Sequence, residues 1–378
     1  MSASPPAFPS VNSPPTGKAA QPRFASQLLN AHWQNVLLAG VILAGGGLLW
    51  YLSSGANPPS VPLGDSLQDA GPAEQVAFAQ PAKNPAKPLT LATIPFDGQK
   101  AYEYLKQICA IGPRVSGTPG MEKQQKLLIE HFEKLGAKVS KQEFLARHPL
   151  TGEQLTLANL VIKWHPDRQE RILLCAHYDT RPYPDRDPRN PQGVFIGAND
   201  GASGVALLME LGKQMPALKG AVGVDFVLFD AEELIYGADT SEGYFLGSGF
   251  FAKEYATGKW DCKYRWGVLL DMIADKNLEL PVEPTSWSWA ESQPLIKEIW
   301  LTARDLGVSE FQNKIFDREI QDDHLMLYHV GKIPSVDIID MNYKYWHTTQ
   351  DTPANCSALS LAKVGYVLQE WLKKATEK

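Results

Sequence analysis

The chain carries histidines and carboxylates whose types and positions suit metal-assisted chemistry. The stretch "FDAEEL", residues 229–234, sets Glu232 and Glu233 side by side directly after the apolar run "VGVDFVLF". Adjacent like charges at the end of a buried strand repel and are costly to desolvate, unless a cation offsets them. Other candidates occupy similar places. His177 and Asp179 end "RILLCAHYD", Asp200 lies in "FIGANDGASG", and Asp271 ends "RWGVLLD". Asp322, Asp323 and His324 open a helical stretch, and His347 stands in "YKYWHTTQDT". Mixed histidine and carboxylate ligands suit zinc, and three protein ligands with one open position describe a catalytic site. Singly, each feature is ordinary. A lone "HYD" is usually a loop histidine, a lone "EE" a solvated turn, and "NDGASG" a turn followed by a serine N-cap. Their joint occurrence beyond successive strands is what points to chemistry.

The elements that must position these residues alternate between helix and strand from about residue 96. "GMEKQQKLLIEHFEKLG" has Leu127, Leu128, Phe132 and Leu135 at helical spacing and ends on Gly136. "KVSKQEFLA" and "LTLANLVIKW" alternate like strands, whereas "RILLCAHYD", "GVDFVLFD" and "RWGVLLDMI" read as buried strands. "SGVALLMELGKQM", opened by Ser203, "SGFFAKEYA", "SQPLIKEIWLTARDLG" and the closing "SALSLAKVGYVLQEWLKKATEK" read as helices, with the strand "IPSVDIID" between the last two. Apolar strands alternating with helices predict an α/β fold, a three-layer α/β/α sandwich with a mixed, mostly parallel central sheet. Such sheets bind ligands at the carboxyl ends of their strands, where every candidate falls.

The first 95 residues differ. Residues 1–34 read as a disordered N-terminus rich in Pro, Ser and Ala. Val36–Leu52 is a charge-free run of 17 residues with Trp50 and Tyr51 at its far end. It is long enough, at about 1.5 Å per residue, to cross a bilayer core as a helix. Lys18 and Arg23 precede it and the first acid is Asp65, a bias that places the N-terminus in the cytoplasm. We read 35–52 as a transmembrane signal anchor, 53–95 as a Pro/Ala-rich linker, and 96–378 as a catalytic domain outside the cytoplasm, periplasmic or at the cell surface. The alternative is secretion after signal cleavage. The net charge of −6 and the lack of a basic stripe exclude nucleic acid as a partner. Cys109, Cys175, Cys262 and Cys356 are scattered without a CxxC pair, so they make no zinc knuckle.

The succession "HYD", "NDGASG", "DAEE", "LDMI", "WHTTQD", with "AIGPRVSGTPG" ahead of it, resembles the zinc aminopeptidases and their relatives the glutaminyl cyclases, over roughly residues 96–376. Three features resemble the cyclases in particular: "IQDDHLMLYHVGKIPSV", Trp346 directly before His347, and the long loop "LIYGADTSEGYFLGSGFFA". One departure is Cys175, two residues before His177, where such proteins often carry a cysteine directly before the histidine. The cyclase resemblance implies that Asp200, Glu233 and His347 hold one zinc ion and that Glu232 moves protons. It also implies that Asp271 and Asp322 lie behind Glu232 and are hydrogen-bonded to each other. Trp346, Trp287, Trp289 and His324 would then wall the pocket, with Asp179 supporting from behind. The substrate would be the N-terminal glutamine of a peptide or protein, closed to pyroglutamate with loss of ammonia. The aminopeptidase resemblance implies instead a second zinc at His177 and Asp271, bridged by Asp200, and removal of N-terminal residues. A non-catalytic binding relative would show lost ligands, and none is lost.

Overall fold

The computed structural model describes residues 88–237 and 243–377. The segment expected to anchor the chain, 35–52, lies outside the described residues, as do 1–34 and the linker up to residue 87. No helix among the described residues is long and apolar enough to cross a membrane.

Helices α1 (Gly98–Cys109) and α2 (Pro119–Lys134) lead into strands β1 (Lys138–Arg147), β2 (Gln154–Trp164) and β3 (Glu170–His177). Helix α3 (Ala202–Leu211), β4 (Gly223–Phe229), α4 (Leu246–Ala256) and β5 (Lys263–Asp271) follow. Then come β6 (Leu280–Val282), α5 (Pro284–Ser288), α6 (Gln293–Leu306), β7 (Phe311–Ile315), α7 (Asp323–His329), β8 (Ser335–Ile339) and α8 (Ala358–Glu377). The main sheet has the order β1-β2-β4-β3-β5-β8, and β6 pairs with β7 in a small second sheet. The β1–β2 and β2–β4 pairings are antiparallel; β3–β4, β3–β5 and β5–β8 are parallel. The sheet is therefore mixed and mostly parallel, as expected.

The central strands are apolar throughout because both of their faces are covered. Ile172, Leu174 and Ala176 of β3 join one core with residues of α1, α2, α3, α6 and α8. The alternate residues Leu173 and Cys175 join a second core with Phe251 of α4 and Leu327 of α7. A period of two along each strand thus feeds two hydrophobic layers. Each fully buried Leu or Phe contributes about 2 kcal/mol, so strands of this composition are stable only between helices. The two-sided burial also places four strand ends along one edge: His177, Phe229, Asp271 and Ile339. Because β4 lies on one side of β3 and β5 on the other, the chain reverses its winding there and opens a crevice.

Helix α3 opens differently from the expected serine cap. Its N-cap is Gly201, at φ +91°. A Cβ at this position would press on the Asp179 carbonyl and the His177 ring. Ser203 instead donates to the Asn199 carbonyl and accepts the Ile273 N–H, tying the Asp200 loop to the chain after β5. All four cysteines are free thiols, and Cys175 is buried in the second core, with its Sγ toward the Val268 carbonyl.

Candidate metal centre and active site

Each site residue arrives from a different element. His177 closes β3 and Asp271 closes β5. Asp200 sits immediately before the Gly201 cap of α3, and Asp322 is the N-cap of α7. Glu232 and Glu233 follow β4 after Ala231, whose φ is +54°. Met272, after Asp271, and His347 also have positive φ, at 47° and 54°. Non-glycine residues rarely adopt this region, and such strain clusters where surrounding structure fixes side chains for function.

Two ligand groups share Asp200. Side-chain ligand atoms of Asp200, Glu233 and His347 lie within 4.8 Å of one another, and so do those of His177, Asp200 and Asp271. His347 Nε2 is 3.5 Å from Asp200 Oδ2 and 3.4 Å from Glu233 Oε2. His177 Nε2 is 3.2 Å from Asp200 Oδ1 and 3.3 Å from Asp271 Oδ1. Asp200 Oδ2 is buried without a hydrogen-bond partner. An orphaned carboxylate oxygen beside an imidazole and a second carboxylate is a donor set that fits a zinc ion.

The two glutamates differ in burial, although ligand atoms of both also lie within 4.8 Å of one another and of His177. Both backbone N–H groups are held by Asp179, Glu232 N to Oδ1 at 3.1 Å and Glu233 N to Oδ2 at 3.2 Å. Glu233 is buried, and its Oε1 also accepts the Arg181 N–H at 2.8 Å. Glu232 is only partly buried and lines the cavity. One buried carboxylate, Asp179, thus accepts the backbone N–H groups of both glutamates.

Charge in the site is far from balanced by the protein alone. Burial, with Asp322 and Glu233 close by, pushes the Glu232 carboxyl well above its ordinary pKa against the opposing pull of His177. Burial and Asp200 push Glu233 up to about 7. Burial and Asp271 push Asp322 well up. Asp322 Oδ1 accepts the Asp323 N–H at 2.6 Å, while its Oδ2 is buried without a donor. One proton shared with Asp271 would satisfy that oxygen. Burial alone would lower His347, but Asp185 and Glu233 outweigh it and raise it to about 9. Burial is the largest cause of the raised carboxyl values and repulsion adds to it; a divalent cation among these groups would offset both.

The cavity at the strand ends has a volume of about 330 Å³, at the small end of the range for ligand pockets. Asp200, Glu232, Glu233, Asp271, Asp322 and His347 line it, and Trp346, Phe316, Ile320 and Met341 give it an apolar wall. Three expected wall residues are elsewhere. Trp289 is buried and stacks on Tyr328 with centroids 3.8 Å apart. Trp287 lies against the main core with Lys297 over its ring. His324 is fully buried, with Nε2 3.4 Å from Glu283 Oε2 and Nδ1 3.8 Å from Asp337 Oδ2. Glu283 caps α5 through the Thr285 and Ser286 N–H groups.

Four supporting residues carried no sequence signal of their own role. Asp351 accepts the Asn199 and Asp200 N–H groups and the Tyr343 hydroxyl. Arg114, from the "AIGPRVSGTPG" stretch, donates from its buried guanidinium to the Gly112, Ile196 and Gly197 carbonyls and so braces the Asp200 loop. Asp185 faces His347 Nδ1 at 3.1 Å. Arg181 stands 3.7 Å from Glu233 Oε2 and lines the cavity.

An α/β/α sandwich with a histidine–carboxylate cluster at its strand ends defines a metal-dependent enzyme. Residues 159–372 match peptidase family M28, and the chain belongs to that family. It is 25% identical over 286 residues to the glutaminyl-peptide cyclotransferase of Bos taurus, covering 68% of this chain and 76% of the bovine one. The crystal structure of Fimbriiglobus ruber glutaminyl cyclase is 42% identical with a TM-score of 0.70, covering 78% of this chain and 99% of that one. A leucine aminopeptidase precursor from Bacteroides thetaiotaomicron is 30% identical with a TM-score of 0.67, covering 74% and 97%.

His347→Ala should weaken zinc binding by more than the roughly 10- to 100-fold typical of losing a supporting partner. Zinc content after dialysis against a chelator would measure it. Undiminished zinc would show that the ion is held by a different set.

Proposed function

We propose that the chain is a zinc-dependent glutaminyl-peptide cyclotransferase that converts the N-terminal glutamine of peptides to pyroglutamate and releases ammonia. The observation that carries this reading is the 42% identity with a glutaminyl cyclase over 99% of that chain. The geometry agrees, because a small cavity with one partly exposed carboxylate at its base suits a reaction inside a single side chain. The reading assigns Asp200, Glu233 and His347 to one zinc ion. When bound, zinc supplies a Lewis acid for the side-chain amide carbonyl of the substrate.

The chain's own residues do the remainder. Trp346 and the apolar wall hold the glutamine side chain so that its α-amine meets the δ-carbon. The nucleophile is already tethered to its electrophile, so proximity supplies much of the rate. Glu232 takes a proton from the attacking amine as the new C–N bond forms. It returns that proton to the amide nitrogen as the old C–N bond breaks, so the departing group leaves as ammonia. Asp271 and Asp322, sharing a proton behind Glu232, keep its carboxylate oriented toward the cavity. A di-zinc aminopeptidase is the second reading, favoured by the His177–Asp200–Asp271 group and by the aminopeptidase relative. Under it Glu232 would deprotonate a water instead.

We also place the catalytic domain outside the cytoplasm, anchored by residues 35–52. The charge-free run and the basic residues preceding it support this. Cell fractionation should find the chain in the membrane pellet, still there after a carbonate wash. Full recovery in a soluble fraction at the unprocessed length would overturn the anchor.

Glu232→Gln should lower pyroglutamate formation by roughly 100- to 10,000-fold, the usual span for general acid–base catalysis. Bound zinc should be unchanged. Loss of zinc in this variant, with zinc kept in Glu233→Gln, would reverse the roles of the two glutamates.

A further inference from the structure

His347 needs more support than its own turn provides. It is a proposed zinc ligand on a loop, at φ +54°, a conformation that persists only where neighbours over-determine it. The neighbours come from a loop distant in sequence. Asp185, Arg186 and Asp187 are consecutive, and each grips a successive part of the 346–349 segment.

Asp185 Oδ1 lies 3.1 Å from His347 Nδ1, and the same oxygen is 2.7 Å from Arg181 Nε. The Arg186 N–H donates to the His347 carbonyl at 3.1 Å, and its guanidinium carbon sits 3.8 Å from the centre of the Trp346 ring. Asp187 makes the firmest joint. Its Oδ2 accepts the Thr349 N–H at 2.9 Å and also the Thr349 hydroxyl. Its Oδ1 accepts the Arg189 and Asn190 N–H groups, each at 2.9 Å. Asp187 is buried by these contacts, although the residues on both sides of it are exposed, and it does not line the cavity. A carboxylate accepting four donors has no further capacity for a ligand. Its geometry serves to lock two loops together.

We propose that Asp185–Asp187 is a clamp that fixes the segment Trp346–Thr349, with Asp187 a positioning residue that acts on the metal site through Thr349. The inference rests on the zinc assignment to His347. It explains why His347 and Trp346 are presented together: Arg186 touches both, Asp185 faces His347, and Asp187 holds Thr349 just beyond them. With the His347 backbone carbonyl bonded to the Arg186 N–H and Asp185 beside Nδ1, Nε2 faces Asp200 and Glu233.

The test uses the full chain and measures zinc affinity by competition with a chromophoric chelator, alongside the thermal midpoint and kcat and KM on a Gln-peptide. Asp187→Ala should weaken zinc binding by about 10- to 100-fold, the span seen when partners behind a ligand are lost. Arg186→Ala, at an exposed position, should raise KM more than it lowers kcat, because it loosens the Trp346 wall. A folded Asp187→Ala protein with wild-type zinc affinity would overturn the clamp, even if its midpoint fell. Should Asp187→Ala fail to fold, Thr349→Val and Thr349→Ser decide. Thr349→Val should weaken zinc binding and Thr349→Ser, which keeps the hydroxyl, should restore it; equal affinities would overturn the proposal. Zinc affinity is read independently of turnover. Failure of the wild type to cyclise glutamine would therefore count against the function and leave the clamp to be judged by zinc alone.

Discussion

The structure depends on concentrating negative charge at one buried edge of a sheet. Asp179, Asp200, Glu233, Asp271, Asp322 and Asp323 are all buried around the strand ends, with Glu232 beside them. Removing a carboxylate from water costs several kcal/mol, and the nearby His177, His347 and Arg181 cannot offset so many. A bound divalent cation can. Burial first, and neighbouring carboxylates second, raise the Glu232 and Asp322 carboxyls, whereas His177 and His347 outweigh burial and lower Asp200, whose orphaned oxygen marks where positive charge belongs.

Keeping these groups in place requires rigid delivery. Strands buried on both faces bring His177 and Asp271 to one edge, and positive-φ residues turn the chain sharply after β4 and β5. Buried side chains then fix the loops. Asp179 holds the glutamate pair, Asp351 and Arg114 hold the Asp200 loop, and the Asp185–Asp187 segment holds His347. The two carboxylates at 232–233 both line the cavity and differ in burial, Glu233 buried and Glu232 half-buried.

The layers and the central strands were legible in the sequence, while the ligand set Asp200, Glu233 and His347 was implied by the family resemblance. Apolar strands that end abruptly in His, Asp or Glu announce both their burial and the edge where polar groups are wanted. Side-chain direction was not legible. Trp287, Trp289 and His324 have the residue types of a pocket wall, but Trp289 and His324 are buried and Trp287 packs half-buried against the main core. Ser203 looked like a helix cap and instead bridges two loops, because Gly201 can take a backbone angle that serine there could not. The supporting carboxylates Asp185 and Asp187 were hidden for a related reason. Their partners are distant in sequence, and their local contexts read as ordinary polar turns.

The most direct test gives the zinc-loaded full chain two short peptides, one beginning with Gln and one with Leu, and follows both by mass spectrometry. Cyclisation predicts loss of ammonia from the Gln peptide while the Leu peptide stays intact. Release of the first residue from either peptide would contradict the assignment and make the same cluster of ligands an aminopeptidase site.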